Sequence, residues 1–392
     1  MIAKEGLRLL ENNLVFAKGA TRKFEKNFEG EMKIGDTVNV KLPAQYTVRS
    51  GQTASVQGHV ERSVPIVVDS QKGIDVEFTS KELTLSLQDF SENVMAPQIA
   101  TLANEIDFDG LKQYKYVANA VGTPGTIPTS MRTFGIAGSK LSDAGAPKDK
   151  NRRAVIDSLT EVELIDAQKG LFHSSNEIDG QYENGEMGKA AGFTFAMSQN
   201  VASHTVGAYV GTPLVNATLA SGATSVATDG WTGSVTGLLK QGDVVTFAGC
   251  YAVNPYTKQR LSYLKQFVIT ADVNSSSGAA TLPIYPAMIS TGAEQNCSGL
   301  PADNAVISVL GAASTVSPTG LAYHKDAFAL VTVDLPLPNG MDMASRASSS
   351  KAGISLRFVR GYDITNDKFI SRFDILYGWK TVRPELACRV QS

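Results

Sequence analysis

Charge is scarce in this chain of 392 residues: 19% are Asp, Glu, Lys or Arg, and 36 cationic against 38 anionic side chains leave a formal net charge of -2. Such a balance excludes a dedicated polyanion binder, whose basic footprint would dominate the composition. Cysteine is scarcer still. Cys250, Cys297 and Cys388 are an odd set at wide spacing, fit neither a secreted disulfide framework nor a zinc knuckle, and read as reduced, buried thiols. The histidines His59, His173, His204 and His324 fall in no HExxH or paired-ligand spacing and read as structural or surface residues. The chain also lacks a Walker loop, a GxGxxG after a strand and a GxSxG elbow, so no catalytic residue, cofactor or metal ligand is nominated. No apolar run approaches the roughly 18 residues of a membrane span. The opening MIAKEGLRLLENNLVFAKG is broken by Glu5, Arg8 and Glu11, so the expectation is a soluble chain with no signal peptide and no membrane contact.

What the chain has is a core and many turns. Hydrophobic residues make up 43%, and the 35 glycines and 15 prolines, with long Ser/Thr/Ala/Val stretches, favour a β-rich α+β protein. The first residues predict a short amphipathic helix with Leu7, Leu10 and Leu14 to one side and no evident partner. Val38, Val40 and Leu42 alternate as a strand. Residues 44–62 are then polar, with Arg49, Ser50, Gly51 and Gln52 at a tip, and residues 66–68 resume extended structure, so a long hairpin is expected. Further strands are expected at Ile74, Val76 and Phe78 after a turn at Gln71, Lys72 and Gly73, and at Leu83, Leu85 and Leu87.

Pro97 suits a first helical turn, and Ile99, Leu102, Ala103, Ile106, Gly110, Tyr114 and Val117 follow helical spacing. That predicts a helix of about 20 residues, about 30 Å long. Residues 121–146 read as a loop-bearing region, and residues 155–172 as room for a second helix. From 212 to 320 charge thins out, and short strands are expected at 244–247, 267–270, 281–284 and 306–310, which reads as an inserted barrel or sandwich. Extended stretches at 328–333, 354–359 and 369–379 close the chain.

Two basic groups stand out. Lys148, Lys150, Arg152 and Arg153 read as a solvated linker. Arg22, Lys23 and Lys26, offset by Glu25 and Glu29, read as a mixed-charge surface or as a docking strip for another protein.

Several stretches taken together resemble the major capsid (coat) proteins of tailed bacteriophages, in the short-tailed branch whose subunit carries an inserted β-domain. They are EGLRLLENNLVFAKGATRKFEKNF with IGDTVNVKLPAQYTVRSGQ (residues 5–52), LQDFSENVMAPQIATLANEID (87–107), GEMGKAAGFTFAMSQNVASHTVG (185–207), KQGDVVTFAGCYAVNPYTKQ (240–259), YHKDAFALV (323–331) and FDILYGWKTVRPELACRV (373–390). The resemblance implies an α+β chain of the Hong Kong ninety-seven capsid type. Residues 1–34 would be an N-terminal arm, 35–80 an extended hairpin loop, 81–120 a peripheral domain with a spine helix, and 121–211 an axial domain. Residues 212–320 would be the inserted β-domain, and 321–392 the return through the axial domain to peripheral strands.

The implied function is a non-enzymatic subunit of an icosahedral shell enclosing double-stranded DNA, assembled in the host cytoplasm and ending in the virion. The implied partners are many copies of the chain in hexamers and pentamers, a scaffolding protein, a portal protein, and DNA touched non-specifically. Arg49, Gln52, Arg22, Lys23 and Lys26 are the candidate subunit contacts. The alternative from another class is a surface- or carbohydrate-binding β-protein, suggested by the Ser/Thr-rich segment but served by only Trp231 and Trp379.

Overall fold

The computed structural model describes residues 2–22, 37–49, 51–54, 56–58, 61–79, 95–168, 188–349 and 353–392, and strand counts refer to these residues. In chain order the elements are α1 (Ile2–Asn13), β1 (Thr37–Leu42), β2 (Arg62–Val67), β3 (Ser70–Thr79), α2 (Ala96–Leu111), β4 (Ala120–Val121), α3 (Met131–Asp143), β5 (Arg152–Ile156), α4 (Ser158–Gln168), β6 (Lys189–Ala190), β7 (Phe193–Met197) and β8 (Ser203–Thr205). There follow β9 (Gly211–Val215), β10 (Ala223–Trp231), β11 (Val244–Val253), β12 (Arg260–Ile269), β13 (Ala280–Met288), β14 (Ile307–Val309), β15 (Val316–His324), β16 (Phe328–Val333), β17 (Met343–Ser349), β18 (Ile354–Asp363), β19 (Lys368–Thr381) and β20 (Ala387–Gln391). The expected strand at Leu83, Leu85 and Leu87 lies outside the described residues. The chain divides into one unit of residues 1–41, 63–111 and 328–382 and another of residues 42–62, 112–327 and 383–392.

In the first unit the long β19 is the organiser, antiparallel to β16, β18 and β3, with β17 outside β18. Helix α2 contributes Ile99, Leu102, Ala103 and Ile106 to the core, as its spacing predicts, and runs uninterrupted through Gly110. That glycine is required by packing: a Cβ there would sit 2.6 Å from Trp379 and 2.7 Å from Phe16. The indole instead lies against the helix and donates from Nε1 to the Ile106 carbonyl at 3.0 Å.

Two expectations fail in this unit. Helix α1 does have partners: it packs on α2, β17 and β18, burying Ala3, Gly6, Leu7 and Leu10 at helical spacing. Each fully buried leucine contributes roughly 2 kcal/mol, which is why the helix needs no second chain to cover it. The turn expected at Gln71, Lys72 and Gly73 is instead part of β3, whose pairing with β19 runs from Ser70 opposite Tyr377 to Thr79 opposite Lys368. Gly73 serves a close approach: its Cβ would lie 2.6 Å from Asp374, a buried carboxylate held by Arg357 and Arg372 at 2.7 Å each.

The second unit holds two sheets. One has the order β4-β20-β15-β5-β7-β6 with β8 added to β15, mixing parallel pairs (β4 with β20, β5 with β7) into antiparallel ones. Its β20 is buried at every position. The other is antiparallel in the order β14-β11-β12-β13-β10-β9, and a bridge from Leu214 to Val306 draws its edges together, so the barrel is nearly closed. Val226, Trp231, Phe247, Phe267 and Leu282 fill its interior, with Phe247 and Phe267 edge to face at 5.6 Å.

The segment 121–146, expected to be loop, contains α3. Ser130 caps it by accepting from the Arg132 N–H at 3.2 Å, and Phe134, Ala137 and Leu141 face inward. Gly135 and Gly138 weaken the helical signal in the sequence, and Gly138 leaves room for the Phe193 ring. The basic cluster is no solvated linker either. Arg152 is buried on β5, and its guanidinium donates to the carbonyls of Pro147 at 2.8 Å and Ala146 at 2.7 Å, which compensates part of the desolvation that lowers its pKa.

Candidate subunit-contact surfaces

Strands β1 and β2 pair as a two-stranded sheet and launch the hairpin that carries Arg49 and Gln52. Between them the backbone makes no ladder. It is held by one side chain, Gln57, whose amide accepts from the Thr47 N–H at 2.8 Å and donates to the Thr47 carbonyl. At the tip the Arg49 guanidinium donates to the carbonyl of Gly51, which turns the chain at φ +92°. Gln52 is exposed. So are Tyr46, Val48 and Val56, the two valines at 93% and 96% of their surface. The foot of the hairpin is tied down by Arg62, whose Nε lies 3.0 Å from Glu294 Oε1.

Arg22 is half-buried and bent back, donating to the Ala17 carbonyl at 2.8 Å. Just before it, the carboxylate of Asp107 on α2 accepts three backbone N–H groups, from Val15 at 2.5 Å, Phe16 at 3.1 Å and Ala17 at 2.9 Å. The N-terminal segment is therefore pinned to α2 immediately ahead of the docking strip. Lys23 and Lys26 lie outside the described residues, as do Glu25 and Glu29.

The constellation that sequence reasoning missed is internal. Tyr114 Oη lies 3.1 Å from His204 Nδ1, and His204 Nε2 lies 2.8 Å from Asp243 Oδ1. Asp243 Oδ2 accepts from the N–H groups of Gly207 at 3.0 Å and Lys240 at 2.7 Å. Fully buried Arg389 closes the cluster, its guanidinium carbon 5.6 Å from the Tyr114 ring centre and its nitrogens donating to Val117 O at 2.7 Å and Gly242 O at 2.6 Å. Burial pushes the Arg389 pKa down to about 10 and raises that of Tyr114.

A Tyr–His–Asp row has the look of a proton relay. All its lone pairs are spent inside the protein, however, and His204 and Asp243 are both buried, so it clamps rather than reacts. It ties β8 and β20 of one sheet to the turn before β11 of the barrel. Among the described residues no group of three or more His, Cys, Asp or Glu side chains is placed to hold a metal ion.

The functional surface is therefore sought on the outside, and the comparisons say what it serves. The family model described as "P22 coat protein - gene protein 5" matches residues 1–390. The chain belongs to that family. A major capsid protein of Acyrthosiphon pisum secondary endosymbiont phage 1 is 25% identical over 420 aligned residues, covering 98% of this chain and 96% of that one. Among solved structures, one of Mycobacterium phage Che8 is 12% identical with a TM-score of 0.48, covering 96% of this chain and 90% of that one. The capsid structure of cyanophage P-SCSP1u gives 11% and 0.45, covering 96% and 88%. As a member of the coat protein family, the chain is a major capsid protein: a structural, non-enzymatic subunit that assembles with many copies of itself into the phage shell and resides in the virion capsid.

Proposed function

We propose that this subunit folds in the Hong Kong ninety-seven manner and builds an icosahedral procapsid, later filled with double-stranded DNA. In this reading residues 1–34 form the arm, 35–80 the extended loop, 81–120 the peripheral domain with its spine, 121–211 the axial domain, 212–320 an inserted β-domain and 321–392 the returning strands. The hairpin is the observation that carries it. An arm ordered by its own Gln57 staple, yet leaving Tyr46, Val48 and Val56 in solvent, has apolar area to bury only against another molecule. Arg49 and Gln52 at the tip, with Arg22, Lys23 and Lys26, are the contact residues in this reading, made between neighbours in hexamers and pentamers.

A scaffolding protein and a portal protein are the further partners. DNA is contacted non-specifically, since a net charge of -2 leaves phosphate neutralisation to counterions. Electron microscopy of the purified chain with and without a matching scaffold tests the proposal. Closed shells roughly hundreds of ångströms across are expected, because repetition multiplies weak contacts. A discrete monomer or dimer under every such condition overturns it.

A further inference from the structure

We propose that Cys250 and Cys297 form a dithiol site that closes to a disulfide inside the six-stranded barrel when the shell meets a small-molecule disulfide. Both thiols are free, fully buried and part of the same barrel core. Cys250 lies on β11, and Cys297 ends the turn that follows β13. A β-bridge pairs Ala252 with Cys297, and the Ser298 N–H donates to the Tyr251 carbonyl at 2.9 Å while the Tyr251 N–H donates to Ser298 Oγ at 3.3 Å. The two backbones thus run side by side with both cysteines facing inward. The register of β11 on β12 slips between Thr246 and Tyr251, where Gly249 takes φ +81°, and the two thiols share a hydrogen bond. Sulfurs in mutual contact across adjoining segments meet the first geometric demand of a disulfide.

The pair is also chemically unequal. Cys250 donates its S–H to Cys297, which raises the Cys250 pKa, whereas Cys297, receiving that bond and lying near the Lys265 charge and the Gly299 N–H, is held below the ordinary thiol value. Cys297 is therefore the attacking sulfur and Cys250 the resolving one. The Cys297 thiolate attacks one sulfur of the small disulfide and releases one small thiol, leaving a mixed disulfide. Cys250 then loses its proton and attacks Cys297 Sγ, expelling the second small thiol. Two protein thiols are oxidised and one small disulfide is reduced to two thiols. Access comes through the turn ahead of Cys297, whose Thr291 and Gly292 are exposed and whose Gly292 sits at φ +89°, so opening it uncovers the sulfur without dismantling the strands. A virion protein meets oxidising surroundings, where such a bond persists. Cys388 is excluded: it lies on β20 in the other sheet, and burial pushes its pKa up to about 11.

The test uses full-length protein in assembled shells, prepared under reducing conditions and then incubated with oxidised glutathione. After acid quenching the chains are unfolded, alkylated and mapped by mass spectrometry. One alkylated cysteine per chain, Cys388, is expected, with a linked Cys250–Cys297 peptide and a melting temperature raised by about 5 °C. Cys250→Ser should trap glutathione on Cys297, and Cys297→Ser should leave Cys250 unreacted. Three alkylated cysteines after a treatment that oxidises the unfolded chain, a link through Cys388 or between chains, or glutathione on Cys250 in the Cys297→Ser variant would each overturn the proposal.

Discussion

His204 and Asp243 are separated by 39 residues and meet at 2.8 Å, each buried, so that a strand of one sheet is locked to the turn that opens the barrel. Removing the carboxylate by Asp243→Ala strands the His204 ring and the N–H groups of Gly207 and Lys240 without an acceptor. Leaving buried polar groups unpaired costs more than the net worth of the bonds, about 3 kcal/mol for the group. The urea midpoint should fall accordingly, and a change below about 0.5 kcal/mol would show that the clamp contributes nothing.

Gly110 and Gly135 sit in different helices and should respond oppositely to alanine. Helix propensity favours Ala over Gly by up to about 1 kcal/mol at both. At Gly135 nothing lies within 4 Å of an added Cβ, so Gly135→Ala should stabilise the protein by that amount. At Gly110 the Cβ would press on Trp379 and Phe16, and overpacking of about 1–3 kcal/mol wins, so Gly110→Ala should lower the melting temperature.

Asp107 gives a pH dependence of defined sign. Burial raises its pKa above the ordinary 3.8 even though the N–H groups of Val15, Ala17 and Phe16 pull the other way. A raised folded-state value means that the folded chain binds the proton more tightly than the unfolded chain. The contribution to stability is therefore full below the ordinary value and is lost as pH rises through the folded one. Asp107→Asn has no proton to bind. Urea midpoints measured from pH 7 down to pH 4 should move in favour of the wild type relative to this variant as pH falls, and a difference constant with pH would remove the linkage.

Arg49 makes its hydrogen bond within the hairpin tip, so Arg49→Glu should leave the melting temperature of the monomer nearly unchanged. Reversing a charge at a contact repeated through a shell should lower assembly yield several-fold. Wild-type yield from the variant would remove Arg49 from the contact.

Residues 212–320 contain β10–β14 and a core of their own around Phe247, Phe267 and Leu282. Expressed alone, the segment should melt cooperatively and give dispersed amide resonances. A random-coil spectrum would mean that the ties from Asp243 and Gly207 to the other sheet are obligatory.

The sequence by itself determined the elements whose signal is local. Helical spacing from Ile99 to Ile106 marked α2, and strict alternation marked β1 and the later half of β3. Uninterrupted extended stretches marked β18 and β19, and the order of six long segments carried the resemblance to coat proteins. Tertiary structure decided whatever depends on what lies opposite a residue. Periodicity tells which face of α1 is apolar but not that α2, β17 and β18 cover it, and it reads Gly73 as a turn because the buried Asp374 that excludes a Cβ is 301 residues away. Arg152 looks solvated until the carbonyls of Ala146 and Pro147 are folded onto it. The clamp of Tyr114, His204, Asp243 and Arg389 leaves no trace in any window of sequence, because its members come from four elements and their hydrogen bonds exist only after two sheets have formed.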